Sequence, residues 1–299
     1  MQGLVLKSTG SHYRVSTPNG IIECKLGGRL RLEELKHTNP VSVGDEVIIS
    51  DQEGNIIIDL VPRKNYLIRK ATNLSKQTHI VAANIDQLII LASYKQPRTS
   101  TGFIDRVLAT AEAYNIPAVV VFNKTDLLNE KEIKEVQYYI NVYDSLGYTA
   151  LGVSSEDQDS IELLKTIVQN KTNLLTGHSG VGKSTLVNKI DPTLTLRTGA
   201  ISDKFNKGKH TTTFAEMIPL SIGGFIIDTP GIKEFGMVRM EKNEVTHYFR
   251  ELFKLKGQCK FNNCLHINEP DCAVLKALAE EKIAGFRYNN YLNILDTLD

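Results

Sequence analysis

Asn123-Lys124-Thr125-Asp126 closes the apolar run Val119-Val120-Val121-Phe122, and Gly177-His178-Ser179-Gly180-Val181-Gly182-Lys183-Ser184 later closes the run Asn173-Leu174-Leu175. The first stretch has the chemistry to read a guanine base and the second has the GxxxxGKS form of a phosphate cradle. Base reader first and phosphate loop second inverts the order that most guanine-nucleotide proteins use. Order along a chain is not order in space. In an open parallel sheet the ligand lies beyond the carboxyl ends of the strands, so loops from different strands converge whichever comes first.

Around these stretches, from about Pro62 onward, apolar strands alternate with amphipathic helices, the mark of a parallel sheet covered on both faces. The pattern predicts strands at 87–92, 118–122, 149–153, 172–175 and 224–227, and helices at 101–114, 130–146, 160–169 and 183–190. Upstream, short apolar stretches at 4–7, 13–16, 21–25, 46–50 and 56–60, with Pro18-Asn19-Gly20 as a hairpin turn, predict a small closed barrel of the OB or the SH3-like type. Downstream, helices are expected at 242–253 and 271–282.

Each candidate residue at the nucleotide site has a physical reason. Backbone amides of Gly177, His178, Ser179, Gly180, Val181 and Gly182, at a loop opening a helix, point toward anionic oxygens, with Thr185 on the following turn. Lys183 is expected to reach the terminal phosphates and to act in catalysis, and Ser184 to ligate Mg²⁺. Asp228, in Asp228-Thr229-Pro230-Gly231 at the end of an apolar strand, is expected to hold Mg²⁺ through water, while Gly231 offers an amide to the last phosphate. The Asp126 carboxylate can accept from guanine N1 and from its exocyclic amine, a donor pair that adenine lacks. Lys124 should lie along the base plane, Asn123 and Thr125 should brace the loop, and Ser154-Ser155 should support the base from the next strand end. Between the phosphate loop and Asp228 runs Lys207-Gly208-Lys209-His210-Thr211-Thr212-Thr213, in which Thr212 is assigned to the Mg²⁺ shell, with Thr211 and Thr213 as alternatives.

Cys259, Cys264, His266 and Cys272 give C-x4-C-x-H-x5-C, enough to close a tetrahedral Zn²⁺ shell with no open position, so one structural zinc per chain is expected. Clustered cysteines in a chain with no secretory leader argue for metal over disulfides, and hence for a cytoplasmic setting. The 299 residues are 41% hydrophobic and 23% charged, the composition of an ordered chain, and nothing in them approaches a membrane span. A net charge of +1 provides no global field to attract RNA. The local balance agrees: residues 1–66 hold eight Lys/Arg against eight acids, and the basic stretch Arg29, Arg31, Lys36 and His37 contains Glu33 and Glu34.

Taken together, NKTD, GHSGVGKS, GKHTTT and DTPG, after a small barrel and before a cysteine-histidine cluster, resemble the circularly permuted GTPases of the RsgA (YjeQ/YloQ) family. The resemblance covers nearly the whole chain. It implies an α/β fold: an OB-type β-barrel (1–66), a circularly permuted P-loop GTPase domain (67–237) and a helical zinc-binding domain (238–299). It further implies hydrolysis of GTP to GDP, with the 30S ribosomal subunit and its 16S rRNA as partner and activator, and a monomer is expected. Ile232 stands where many small GTPases have a water-orienting glutamine, so slow intrinsic turnover is expected, with His210 as the candidate that aligns water. Two rivals are an RNA-binding adaptor whose hydrolysis is incidental and a small-molecule kinase; Asn123–Asp126 speaks against the second.

Overall fold

The computed structural model describes residues 1–10, 12–28, 30, 40–50, 54–70, 78–196, 215–228 and 240–298. Strands β1 (Gln2–Ser8), β2 (Tyr13–Thr17), β3 (Gly20–Leu26), β4 (Glu46–Ser50) and β5 (Ile56–Leu60) follow the order β1-β2-β3-β5-β4, and β4 pairs back onto β1 to close a barrel. Only β3–β5 is parallel among these pairs. This five-stranded Greek-key closure is the OB arrangement, which settles the choice between barrels that sequence left open. Alternating residues Val5, Tyr13, Val15, Val47, Ile49 and Ile57 fill its interior with Cys24, whose thiol burial pushes up to about 11. A thiol held there is protonated at neutral pH and serves as packing.

A hairpin of β6 (Tyr66–Lys70) and β7 (Thr78–Ala83) connects the barrel to the second unit. Sequence reading missed it because the polar stretch around Lys70 interrupts the apolar alternation. Beyond it, β8 (Gln87–Ser93), β9 (Ala118–Asn123), β10 (Thr149–Gly152), β11 (Lys171–Thr176) and β13 (Gly224–Asp228) are parallel, and β12 (Glu216–Pro219) joins β13 antiparallel. The sheet runs β10-β9-β8-β11-β13-β12. Every residue of β8 and β9 is buried, as expected for central parallel strands covered on both faces. Helices α1 (Thr101–Ala113), α2 (Glu130–Ser145), α3 (Gln158–Val168) and α4 (Lys183–Ile190) supply that cover. Their starts are locally encoded: Ser100 caps α1, Asn129 and Glu132 form a capping box on α2, and Asp157 caps α3.

The barrel and this sheet are hydrogen-bonded to one another. β1 pairs with β12, making one sheet of eleven strands where sequence predicts two separate units.

The carboxyl-terminal part also differs from expectation. The helix expected at 242–253 is divided into a 3₁₀ turn (Val245–Tyr248) and the short α5 (Arg250–Phe253), because Phe249 is extended between them. The helix expected at 271–282 shortens to α6 (Ala273–Ala279), since Asp271 has φ +58° and cannot join it. A further helix, α7 (Gly285–Leu295), was not anticipated, its glycine, asparagines and tyrosines being weak helix formers.

It is α7 that fixes this part to the core. Arg287 is 1% exposed and donates to Glu251 (2.6 and 3.0 Å) and to Asp105 of α1 (2.6 Å); Tyr143 and Asn290 complete the Asp105 shell. Burial alone would lower the pKa of Arg287, but Asp105 and then Glu251 outweigh it and hold the guanidinium well above its ordinary pKa. Phe286 inserts among Tyr138, Tyr139 and Tyr143 of α2. Arg250 lies 3.9 Å over the Tyr148 ring, donates to the carbonyls of Leu146 and Gly147 and pairs with Glu112.

Candidate nucleotide and metal sites

The carboxyl ends of the parallel strands carry the predicted motifs along one edge of the sheet. NKTD begins at the last residue of β9, Ser154 lies just beyond β10, the 177–184 loop follows β11, and Asp228 ends β13. Two strand spacings, about 10 Å, separate β9 from β11, with β8 between them. The side chains then close the gap. Asn123 Nδ2 donates to the Val181 carbonyl (2.9 Å), and Lys124 Nζ donates to the carbonyls of Gly180 (2.7 Å) and Gln96 (2.5 Å). The 123–126 loop therefore grips the 177–184 loop directly, although it is made first.

Gly182 shows why this contact demands particular residues. Its φ is +102°, and a Cβ built there would collide with the Asn123 amide, so only glycine permits the grip. Asn123 Oδ1 is buried and, among the described residues, has no hydrogen-bond partner. Such an orphaned acceptor beside a phosphate loop suits a ligand that brings a donor.

At the base end, Ser154 Oγ donates to Asp126 Oδ1 (2.6 Å) and accepts from Glu156 N (3.1 Å), while Thr125 N donates to the Val153 carbonyl (3.2 Å). Ser155 Oγ donates to Glu156 instead of toward Asp126. A cavity of about 480 Å³ opens on the α2 side, lined by Asp126, Ser154, Ile133, Val136 and Ile140.

At the phosphate end, Gly182 caps α4 and Lys183 Nζ donates to the carbonyls of Gly177 (2.7 Å) and His178 (2.9 Å). Ser184 is buried on the first turn of α4 beside half-buried Thr185. The His178 ring packs 4.3 Å from Phe103 of α1, and burial, helped by Lys183, lowers its pKa. His178 is therefore a neutral donor or acceptor near pH 7. His210, Thr212 and Gly231 lie outside the described residues, and for Asp228 only the strand position is described.

The predicted cysteine-histidine cluster is assembled. Ligand atoms of Cys259, Cys264, His266 and Cys272 all lie within 4.8 Å of one another. His266 Nδ1 is 3.6, 3.3 and 3.3 Å from the three sulfurs, and Cys259 Sγ is 3.9 Å from Cys272 Sγ. A tetrahedral zinc with Zn–S near 2.3 Å has sulfur–sulfur edges of about 3.8 Å, so the four atoms fit that ion. Burial disfavours charge here, pushing Cys264 up to about 12 and lowering His266, so a cation is what would stabilise thiolates in this pocket.

Sequence reading did not identify the supports of this cluster. Glu269 accepts from the amides of Leu265, Ile267 and Asn268; Tyr288 and Tyr291 of α7 donate to the carbonyls of His266 and Leu265. The metal loop is thereby tied to the same helix that carries Arg287.

The comparisons with known proteins cover this whole arrangement. A model of the RsgA GTPase family matches residues 60–238, and a model of the RsgA N-terminal domain matches residues 2–56. A protein of Phocaeicola vulgatus named small ribosomal subunit biogenesis GTPase RsgA is 50% identical over 99% of this chain and 96% of its own length. One of the same name from Flavobacterium psychrophilum is 51% identical over 99% and 93%. Among solved structures, YjeQ from Thermotoga maritima superposes with a TM-score of 0.81 at 35% identity, covering 99% of this chain and 98% of that one. YloQ, described as a circularly permuted GTPase, gives 0.74 at 28% identity, covering 99% and 93%.

Proposed function

The chain belongs to the RsgA GTPase family, and from that premise we propose that it is a GTP hydrolase of small-subunit biogenesis whose turnover is stimulated by the 30S subunit. The observation that supports one nucleotide site is the hydrogen bonding of Asn123 and Lys124 to the carbonyls of Val181 and Gly180, which brings the two motif loops into contact.

In this reading Asp126, held by Ser154, pairs with guanine, the Lys124 stem covers the base, and the 177–182 amides bind the phosphates. Lys183 leaves the carbonyls of Gly177 and His178 for the terminal phosphates, where its charge offsets what develops as the phosphoryl group departs. Ser184, Thr212 and Asp228 would hold Mg²⁺, which neutralises charge on the β- and γ-oxygens; Gly231 offers an amide, Thr185 lines the phosphate end, and His210 aligns water. The cluster at Cys259, Cys264, His266 and Cys272 holds a structural zinc.

The parts are the barrel (1–66), the permuted GTPase domain (67–237) and the zinc domain (238–299) of a cytoplasmic monomer. Among the described residues no helix is long and apolar enough to cross a membrane. The GTP form grips 16S rRNA in a late 30S intermediate, and hydrolysis releases it.

Steady-state hydrolysis with and without purified 30S subunits tests this. GTP turnover should be slow alone and rise on the order of 100-fold or more with 30S, the scale of a partner that completes a phosphoryl-transfer site, while ATP is left intact. Turnover indifferent to 30S would favour an adaptor whose hydrolysis is incidental, and equal use of ATP would refute guanine reading.

A further inference from the structure

Among the described residues, Leu6 and Val43 pack the barrel into the main core, and two polar footings flank that packing. One is beside the connecting hairpin: Ala83 N donates to the Val43 carbonyl (2.8 Å) and Asn84 Nδ2 to the Gly44 carbonyl (2.9 Å). The other is the β1–β12 seam, where Lys7 stands opposite Glu216. There Glu216 Oε2 accepts from Lys7 Nζ (3.0 Å) and Oε1 from Arg14 Nη1 (3.3 Å), a carboxylate shared by two basic side chains of the barrel.

Glu216 also has a nucleotide-side neighbour. On its other flank it is in register with Asp228, so Arg14, Lys7, Glu216, Asp228 and Leu175 form one row across the sheet, from the barrel to the strand that precedes the phosphate loop. In sequence, Glu216 follows Thr212 by only three intervening residues. At the other end of the intervening segment, Leu196 is clamped to α4 by both side-chain atoms of Asn188 (2.6 and 2.9 Å). The described residues on either side of 197–214 are thus held, Leu196 on the core and Glu216 on the barrel seam.

The two flanking parts are attached very differently. The zinc domain is fixed by a buried ion network, whereas the charged contacts of the seam are part-exposed pairs worth about 0–1 kcal/mol each, set beside the buried Leu6 and Met217. Part-exposed pairs of that size can rearrange within a ligand's differential binding energy, whereas breaking the buried network costs several kcal/mol.

We propose that Glu216 is the positioning residue that couples the barrel to nucleotide state: the β1–β12 seam tightens or slips with the occupant of the phosphate site, while core and zinc domain move as one body. This rests on the GTPase reading above and extends it, since the barrel, rather than the zinc domain, becomes the part that changes its placement. Coupling is reciprocal, so altering the seam must also alter the preference between GTP and GDP.

The experiment uses the full chain loaded with GDP or with a non-hydrolysable GTP analogue. Amide exchange across Gln2–Ser8 and Glu216–Pro219 is read in the wild type, and the ratio of affinities for the two nucleotides in the wild type, Glu216→Gln and the charge-swapped Lys7→Glu/Glu216→Lys. The wild type should exchange differently in the two states, Glu216→Gln should shift the affinity ratio about fivefold or more, and the swap should restore it. Equal exchange in both states, or a ratio unmoved by Glu216→Gln, overturns the coupling while GTP binding and turnover stand. A chain that binds neither nucleotide overturns the functional reading itself. A loss of fold in the variants would leave the wild-type exchange comparison to decide.

Discussion

Asp126→Asn should lower GTP affinity by about 100-fold or more without loosening the fold. The carboxylate offers only acceptors, and guanine presents two donors, N1–H and the exocyclic amine; charge-assisted hydrogen bonds are worth about 1.5–3 kcal/mol each, so losing two exceeds a factor of 100. The amide that replaces it turns an N–H pair toward those donors. A base with a carbonyl at that ring position, as in xanthosine triphosphate, should gain what GTP loses. Asp126 is exposed and its described side-chain partner is Ser154 Oγ, so stability should change little. Titration with fluorescent nucleotides reads the effect; unchanged GTP affinity would show that the base is read elsewhere.

Arg287→Met should cost about 3–5 kcal/mol in urea unfolding, the scale of a buried ion pair broken from one side. The methionine has comparable bulk, so the loss arises from Asp105 and Glu251, which stay buried at 0% and 8% exposure without their cation. The ring stack of Arg287 over Phe249, 4.5 Å from guanidinium to centroid, is lost as well. Arg287→Lys should rescue only part, because an ammonium cannot reach both carboxylates in the planar geometry that guanidinium provides. Amide exchange should accelerate first in α7 and the metal loop it supports, through Tyr288 and Tyr291. A cost below 1 kcal/mol, or uniform loosening, would deny that this network holds the carboxyl-terminal part to the core.

The contrast between these two residues shows what the sequence made legible. Asp126 and Lys183 belong to short contiguous motifs, each preceded by an apolar strand, so composition and spacing single them out as candidates without knowledge of the fold. The cysteine-histidine cluster was legible for the same reason, all four side chains lying in one short stretch. Arg287, Asp105 and Glu251 come from distant parts of the chain, and an arginine on a weakly helical segment gives no local sign that it will be buried. The same holds for β12, a short strand next to a polar segment, whose partners Lys7 and Arg14 lie in the barrel. Local chemistry was visible, and long-range seams were not. His210, Thr212 and Gly231, where sequence reading places the hydrolytic chemistry, fall outside the described residues, so their roles rest on motif order alone.

The convergence of separated loops on one guanosine triphosphate is most directly measured in a complex of the full chain with Mg²⁺ and a non-hydrolysable GTP analogue. The expected result is a single nucleotide whose guanine N1 and amine lie about 3 Å from the Asp126 carboxylate and whose terminal phosphate oxygens lie about 3 Å from Lys183 Nζ. A base bound away from Asp126, or phosphates seated away from the 177–184 loop, would contradict it.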